Sequence, residues 1–181
     1  MASKQEQQKL AKILEDLHSS DGKKVVKAIK SLESNGNSSV ILPLAELLLE
    51  GKHTHEAEII ELLCSLKDTS VTAEVMEIIE DERFLPIRQL MLSVVWNTKV
   101  DFSDYIDEFV LIATEGDFME ALDCLTIIEN LEGPFMEENI LESQLHLKNY
   151  MESNPPQDDQ KAHILSEIAL KLKDINVELM D

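Results

Sequence analysis

Residues 40–48 read VILPLAELL, and the apolar side chains Leu44, Leu47 and Leu48 recur there at i, i+3 and i+4. This spacing puts them on one face of an α-helix. The same spacing returns 31 residues later and again after a further 31, which gives three apolar columns. The columns are Leu44, Val75 and Ile106; Leu47, Ile78 and Phe109; and Leu48, Ile79 and Val110. Similarity at a fixed step of this length is typical of repeat architectures.

The rest of the chain shows helical spacing between turn signals, without sustained alternation of period two. This pattern predicts an all-α protein built from helix-turn-helix units. The predicted units are about 21–51, 53–82, 84–116 and 117–153. A single helix pair cannot bury its own apolar stripe, so we expect the units to stack into a short right-handed α-solenoid of about four repeats.

Both ends of the chain predict a capping helix. A Gln- and Lys-rich helix at about 4–18 precedes the units, and a helix at about 156–180 follows them. The last helix can cap the array or offer its apolar stripe to a partner helix. Its stripe is Leu165, Ile168, Leu172, Ile175 and Leu179. We expect one domain over 1–181, with a cap helix in 1–19, four repeats in 20–153 and a cap helix in 154–181.

Two stretches resemble the HEAT and HEAT-like (phycobilisome-lyase-type) repeats. Residues 40–48 are similar to the second helix of that motif with its early proline, and residues 85–90, LPIRQL, are similar to the start of its first helix. The resemblance covers about residues 20–132, although the usual Asp-x-x-Val-Arg signature is absent from the second and fourth units. It implies an armadillo-like solenoid used as a binding or scaffold surface, and it implies no lyase activity.

The composition indicates a globular chain. Of its 181 residues 44% are apolar and 29% charged, and only ten are Gly or Pro, which excludes disordered and collagen-like classes. No 18-residue apolar run indicates a membrane span, and the polar start lacks the apolar core of a signal peptide. Two cysteines are too few for a disulfide scaffold, so we expect a cytoplasmic protein.

Acidic residues dominate the charge. The chain has 16 basic and 36 acidic residues, a formal net charge of −20, and residues 101–150 alone carry one basic and 13 acidic residues. Such a balance argues against nucleic acid as a partner, because phosphate binding requires a cationic surface. The acidic stretch serves solubility, or it docks a cationic partner.

Two stretches contain residue types that bind metals. In a helix the imidazoles of His53 and His55 diverge by about 200° and cannot share an ion; in a loop they could, but no third ligand is near in sequence. We expect a helix entry there, with Thr54 as its cap. The carboxylates of residues 101–108 lack the central Gly of a calcium loop and fit a helix N-terminus, capped by Ser103 or Asp101.

Catalytic motifs are not apparent in the sequence. Cys64 and Cys124 lie on apolar helix faces, which favours core packing over nucleophilic chemistry. The sequence has no Gly-rich phosphate loop, no CxxC pair and no Ser-centred elbow. Trp96 is interpreted as a filler of the core or of the space between repeats, with ligand stacking as the alternative. We therefore expect no enzyme activity, no cofactor and no metal.

One column of carboxylates is our candidate binding surface. Glu46, Glu77 and Glu108 repeat at the 31-residue step, and a column becomes a ridge in a stacked array. Asp104 and Asp107 lie beside Glu108 in the most acidic stretch and complete the candidate set. The alternative is that Glu simply favours exposed helical positions.

Two functions follow from these observations. The first is a non-catalytic interaction module, monomeric or weakly oligomeric, that binds a basic protein or peptide and neither nucleic acid nor membrane. The second is an accessory subunit of an enzyme complex that docks through apolar end helices.

The absence of metal ligands in a suitable pattern is directly testable. Elemental analysis of protein purified without tags or chelators should find less than stoichiometric zinc or calcium, because neither stretch offers a complete ligand set. A stoichiometric ion that is lost on His53→Ala or Asp104→Ala would contradict this prediction.

Overall fold

The chain is built from α-helices. A computed structural model describes residues 4–17, 19, 21–35, 38–51, 55–66, 69–153 and 159–180, and within these ranges it contains helices and turns but no strand. The all-α prediction is therefore confirmed. The α-helices are α1 (Lys4–Leu17), α2 (Gly22–Asn35), α3 (Ile41–Leu49), α4 (Glu56–Ser65), α5 (Thr72–Glu80), α6 (Arg88–Asn97), α7 (Ile106–Glu115), α8 (Phe118–Asn130), α9 (Glu137–Ser153) and α10 (Asp159–Met180).

Residue contacts divide the chain into two compact units. Unit 1 comprises Met1–Val100 and contains α1 to α6; unit 2 comprises Asp101–Asp181 and contains α7 to α10. Each helix lies where the apolar spacing predicts one. The grouping of these helices into one domain, and into about four repeats, stays a prediction.

The helices of unit 1 pack in two rows. The helices α2, α4 and α6 contact one another in order, α3 contacts α5, and α1 lies against α2. On α3 and α5 the column residues face this interior: Leu44, Val75 and Ile79 are each at most 3% exposed. The apolar columns read from the sequence are thus core positions of this unit.

A short 3₁₀ segment, Glu82–Ile87, leads into α6. Its N-cap is Asp81, whose Oδ1 accepts a hydrogen bond from the Arg83 main-chain N–H at 2.9 Å. The Arg83 guanidinium lies 2.6 Å from Asp81 Oδ2. The hydrogen bonds from Arg83 hold the pKa of the Asp81 carboxyl below its ordinary value. Residues 85–90, which resemble the start of a HEAT-like first helix, are thus 3₁₀-helical up to Ile87 and α-helical from Arg88 onward.

Unit 2 places α7 at its centre. Helix α7 packs against α8 and α9, and α10 packs across α8 and α9. Ile106, Phe109 and Val110 of α7 are all fully buried. On α10 the stripe residues from Leu165 to Ile175 are buried as well, whereas Leu179 is 42% exposed. The apolar stripe of the last helix is thus used inside the unit.

The start of α7 differs from our expectation. We predicted Ser103 or Asp101 as its cap, but the helix begins at Ile106 after Tyr105, which makes no side-chain capping bond. Ser103 is instead buried: its hydroxyl donates to Asp101 Oδ1 at 2.7 Å and accepts from the Gly133 N–H at 2.9 Å. A bond to a residue 30 positions away cannot be read from local sequence, and this is why the prediction was wrong.

The turn between α7 and α8 has little spare room. Asp117 and Glu120 form a reciprocal capping box at the start of α8. A Cβ added at Gly116 would clash with the Glu120 carboxylate and would lie 2.9 Å from the Ile112 carbonyl oxygen. Glycine at this position therefore lets the two helices follow each other so closely.

Truncation of the column residues tests the core. Ile78 is 4% exposed and Val110 fully buried, so Ile78→Ala and Val110→Ala should each lower the free energy of unfolding by about 1–4 kcal/mol. Denaturant titration measures this loss. Val177→Ala is the matched control, because Val177 is 54% exposed; equal stability of Val110→Ala and Val177→Ala would contradict the core assignment.

Candidate functional site

In unit 1 the candidate carboxylates lie on adjacent helices. Glu46 on α3 and Glu77 on α5 are both exposed, on the side opposite the buried columns. Arg83 lies near Glu46: the bonded Asp81 carboxylate raises the pKa of the Arg83 guanidinium, and the charge of Glu46 adds to the effect.

In unit 2 the candidate carboxylates differ in exposure. Asp104 is exposed, and its main-chain carbonyl accepts a hydrogen bond from Asn139 Nδ2 of α9 at 2.7 Å. Asp107 and Glu108 are half-buried. Helical spacing predicts Glu108 on the exposed side of its helix, whereas in the structure its side chain is half-buried. The three-member ridge of Glu46, Glu77 and Glu108 draws on both units and stays a prediction.

The acidic charge is concentrated in unit 2. Residues 101–181 carry 20 acidic and four basic side chains, a formal net charge of −16, against 16 acidic and 12 basic in residues 1–100. The helices α7 and α8 contain neither Lys nor Arg. The basic residues of unit 2 all lie on α9 and α10: Lys148, Lys161, Lys171 and Lys173. Carboxylates of α7 and α8 thus lack basic residues on their own helices.

Lys161 of α10 binds the C-terminal end of α7. Its ammonium donates to the carbonyl oxygens of Thr114 at 2.8 Å and Gly116 at 2.5 Å, and it lies 5.1 Å from the centre of the Tyr150 ring. A cation is favoured at a helix C-terminus by the helix dipole and at a tyrosine face by the ring quadrupole. No local pattern predicts this contact, because its partners are more than 40 residues apart in the sequence.

An open polar cavity of about 630 Å³ adjoins Lys161. Its lining includes Glu115 of α7 together with His146, Asn149 and Tyr150 of α9. The cavity brings a carboxylate, an imidazole, a phenol and an ammonium together, and that ammonium already donates two hydrogen bonds, to the carbonyl oxygens of Thr114 and Gly116. This arrangement can hydrogen-bond a small polar molecule.

Histidine, cysteine and acidic side chains are the residue types that could bind a metal or react. Within the part of the chain that the structure describes, no group of three or more His, Cys, Asp or Glu could hold a metal ion. His55 Nδ1 lies 3.8 Å from Glu58 Oε1, whereas His53 and Thr54 lie outside the described residues. Cys124 is buried; Cys64 is half-buried, and burial raises the pKa of its thiol.

Trp96 was interpreted as a filler of the core or of the space between repeats. It is 42% exposed near the end of α6, so it does not belong to the core. Its neighbours Val94 and Val95 take the buried positions at 2% and 4% exposure, so Trp96 is turned toward solvent.

None of the described helices is long and apolar enough to cross a membrane.

Removal of the Lys161 ammonium tests the tie between α10 and α7. Lys161→Met should lower the free energy of unfolding by about 1–3 kcal/mol, because two charge-assisted hydrogen bonds are lost. Thermal and denaturant unfolding measure the change. Lys173→Met on the exposed side of the same helix is the control, and an equally small effect of both substitutions would show that the contact contributes nothing.

Comparison with known proteins adds no relative to these observations. No protein-family model, curated protein or solved structure matches the chain. The similarity to HEAT-like repeats accordingly rests on residues 40–48 and 85–90 and stays a prediction.

Proposed function

We propose that the chain is a non-catalytic protein-binding module whose acidic surface docks a basic protein or peptide. The observation that carries the proposal is the distribution of charge in unit 2, which has a formal net charge of −16 and no basic residue on α7 or α8. Exposed acids of the unit, such as Asp104, Asp117 and Glu129, would attract a cationic partner.

We propose further that the helices form a short right-handed α-solenoid of about four HEAT-like repeats. The contacts of unit 1 support this proposal, because α2, α4 and α6 follow one another in one succession while α3 contacts α5 in another. Repeats stacked in this way each expose one helix face along an extended surface. Glu46 and Glu77 occupy such exposed positions on α3 and α5.

Electrostatics would act mainly on the encounter of the partners. Clustered carboxylates attract a cationic partner over about one Debye length, about 8 Å at physiological salt. Such steering raises the association rate and is weakened by salt. Partner chemistry would thus be selected by charge, while buried contacts set the lifetime of the complex.

The alternative of an accessory subunit finds less support in the fold. It required an exposed apolar stripe on the last helix, and Leu165, Ile168 and Leu172 of that stripe are at most 6% exposed. The stripe packs on α8 and α9 instead.

Charge reversal at exposed candidate residues tests the proposal. A partner captured from native lysate should bind more weakly at high salt, and Glu77→Lys combined with Asp104→Lys should weaken binding about tenfold, or about 1.4 kcal/mol. Both side chains are exposed, so the variant should unfold as the wild type does. Association kinetics measured at two salt concentrations record the effect.

The control carries the same change of charge elsewhere. Glu15→Lys combined with Asp174→Lys also alters one exposed acid in each unit. Equal loss of binding in both double variants would mean that bulk charge acts without a defined surface. Unchanged binding in the first variant, or binding that salt does not weaken, would overturn the proposal.

A further inference from the structure

Helix α2 carries a cluster of lysines in an otherwise acidic protein. The helix has one acidic residue, Glu33, and four basic residues, which are all exposed: Lys23, Lys24, Lys27 and Lys30. No acidic residue interrupts residues 23–30, although the chain has 36 acidic and only 16 basic residues. The charge balance of α2 is thus the reverse of that of the whole chain.

Three of these lysines share one side of the helix, which we call the lysine face. Lys23, Lys27 and Lys30 follow one another at four- and three-residue steps, and a rotation of about 100° per residue places them within a sector of about 60°. The buried residues of α2 lie on the opposite side: Val25, Ala28, Ile29 and Leu32. Along the helix axis the lysine face is about 10 Å long.

The lysine face lacks the ion pairs that other basic residues make. Arg83 lies 2.6 Å from Asp81 Oδ2, and Lys148 lies 3.9 Å from Glu152 Oε1. Within the part of the chain that the structure describes, no carboxylate forms an ion pair with the three lysines of the face. Like charges three and four residues apart repel one another, whereas a helix face that serves only solubility mixes both signs. The clustering therefore points to an anionic ligand.

Acidic residues border the lysine face and limit its extent. Asp21 precedes α2, and its Oδ1 accepts a hydrogen bond from the Lys23 main-chain N–H at 3.0 Å. Glu33 follows three positions after Lys30. Two helices pack against α2: α1, in which three acids balance three lysines, and α4, which has no basic residue. The acids of α4 are Glu56, Glu58 and Glu61. The positive surface is therefore short and narrow.

We propose that the lysine face binds a short acidic peptide segment of another protein. Three carboxylates within about 10 Å would each meet one ammonium group, and such charge-assisted hydrogen bonds are the stronger ones. At physiological salt a charge acts over about 8 Å. The local sign of the face therefore governs the encounter, although the chain has a formal net charge of −20.

The composition of α2 favours a peptide over a nucleic acid or a lipid surface. Arginine is the side chain that pairs with phosphate bidentately, and aromatic side chains stack on bases. Helix α2 contains neither arginine nor an aromatic residue. Nucleic acids and anionic membranes also extend well beyond about 10 Å and would meet the bordering carboxylates, which repel them. A short segment reaches the lysines alone.

This inference is independent of the proposed function. It uses the lysines of α2, whereas the acidic surface uses carboxylates on other helices, such as Glu77 of α5 and Asp104. Removal of the three lysines should leave a basic partner bound at least as strongly as before. Either interaction can fail without the other.

An NMR titration of the isotope-labelled full chain with an octaglutamate peptide tests the inference. Amide shifts should change in a saturable way and centre on residues 23–30, with a dissociation constant of about 0.1–1 mM at about 0.15 M salt. Affinity should fall at least tenfold at about 0.5 M salt, because screening weakens the attraction. An octaglutamine peptide is the uncharged control and should cause no saturable change.

A triple variant locates the site. Lys23→Gln, Lys27→Gln and Lys30→Gln combined should weaken binding of octaglutamate at least tenfold, and the variant should unfold as the wild type does because all three side chains are exposed. The matched control combines Lys99→Gln, Lys148→Gln and Lys173→Gln, which removes the same charge from exposed positions elsewhere. It should bind the peptide within about twofold of the wild type.

Four results would overturn the inference. The first two are shifts that do not saturate and shifts centred outside α2. The third is equal weakening of binding by the two triple variants, which would mean that bulk charge acts without a site. The fourth is stronger binding to another polyanion, measured with octathymidylate and with phosphatidylserine-rich vesicles, since the lysine face would then serve nucleic acid or a membrane.

Discussion

The five helices from α3 to α7 are too short to persist alone. The shortest α-helices have nine residues, and isolated helices below about 12–15 residues are marginal in water. Each helix must therefore bury its apolar stripe against neighbours. This constraint accounts for the succession of α2, α4 and α6 in unit 1 and for the position of α7 between α8 and α9 in unit 2. It also explains why truncations in the columns act on packing that several helices share.

Several acidic residues of unit 2 lie in the first turns of its helices. Asp107 and Glu108 lie in the first turn of α7, Glu120 in that of α8, and Glu137 in that of α9. Carboxylates at a helix N-terminus are stabilised by the helix dipole. The opposite end of α7 receives the Lys161 ammonium. The fold thus accommodates a formal net charge of −16 while its core remains apolar.

The apolar spacing in the sequence predicted the helices and their buried faces. The spacing of Leu44, Leu47 and Leu48 predicted both the helix and the side of it that is buried, because helix periodicity is set by residues within a few turns. Exposure of single residues depended on tertiary neighbours instead. Glu108 is half-buried in a unit where α7 packs against α8 and α9, and Trp96 is exposed while Val94 and Val95 occupy the inner face of α6. Contacts such as that of Lys161 with Thr114 join distant segments, and no local signal marks them.

The Lys161 contact also governs how unit 2 opens. A fluctuation that lifts the start of α10 exposes two carbonyl groups of α7 and uncovers Ile164 and Leu165 at the same time. Hydrogen-bond loss and apolar exposure therefore occur in one step, which is the behaviour of a cooperative folding unit. Amide hydrogens of α10 near Lys161 should accordingly exchange together with those at the end of α7, so that the last helix does not fray independently from that end.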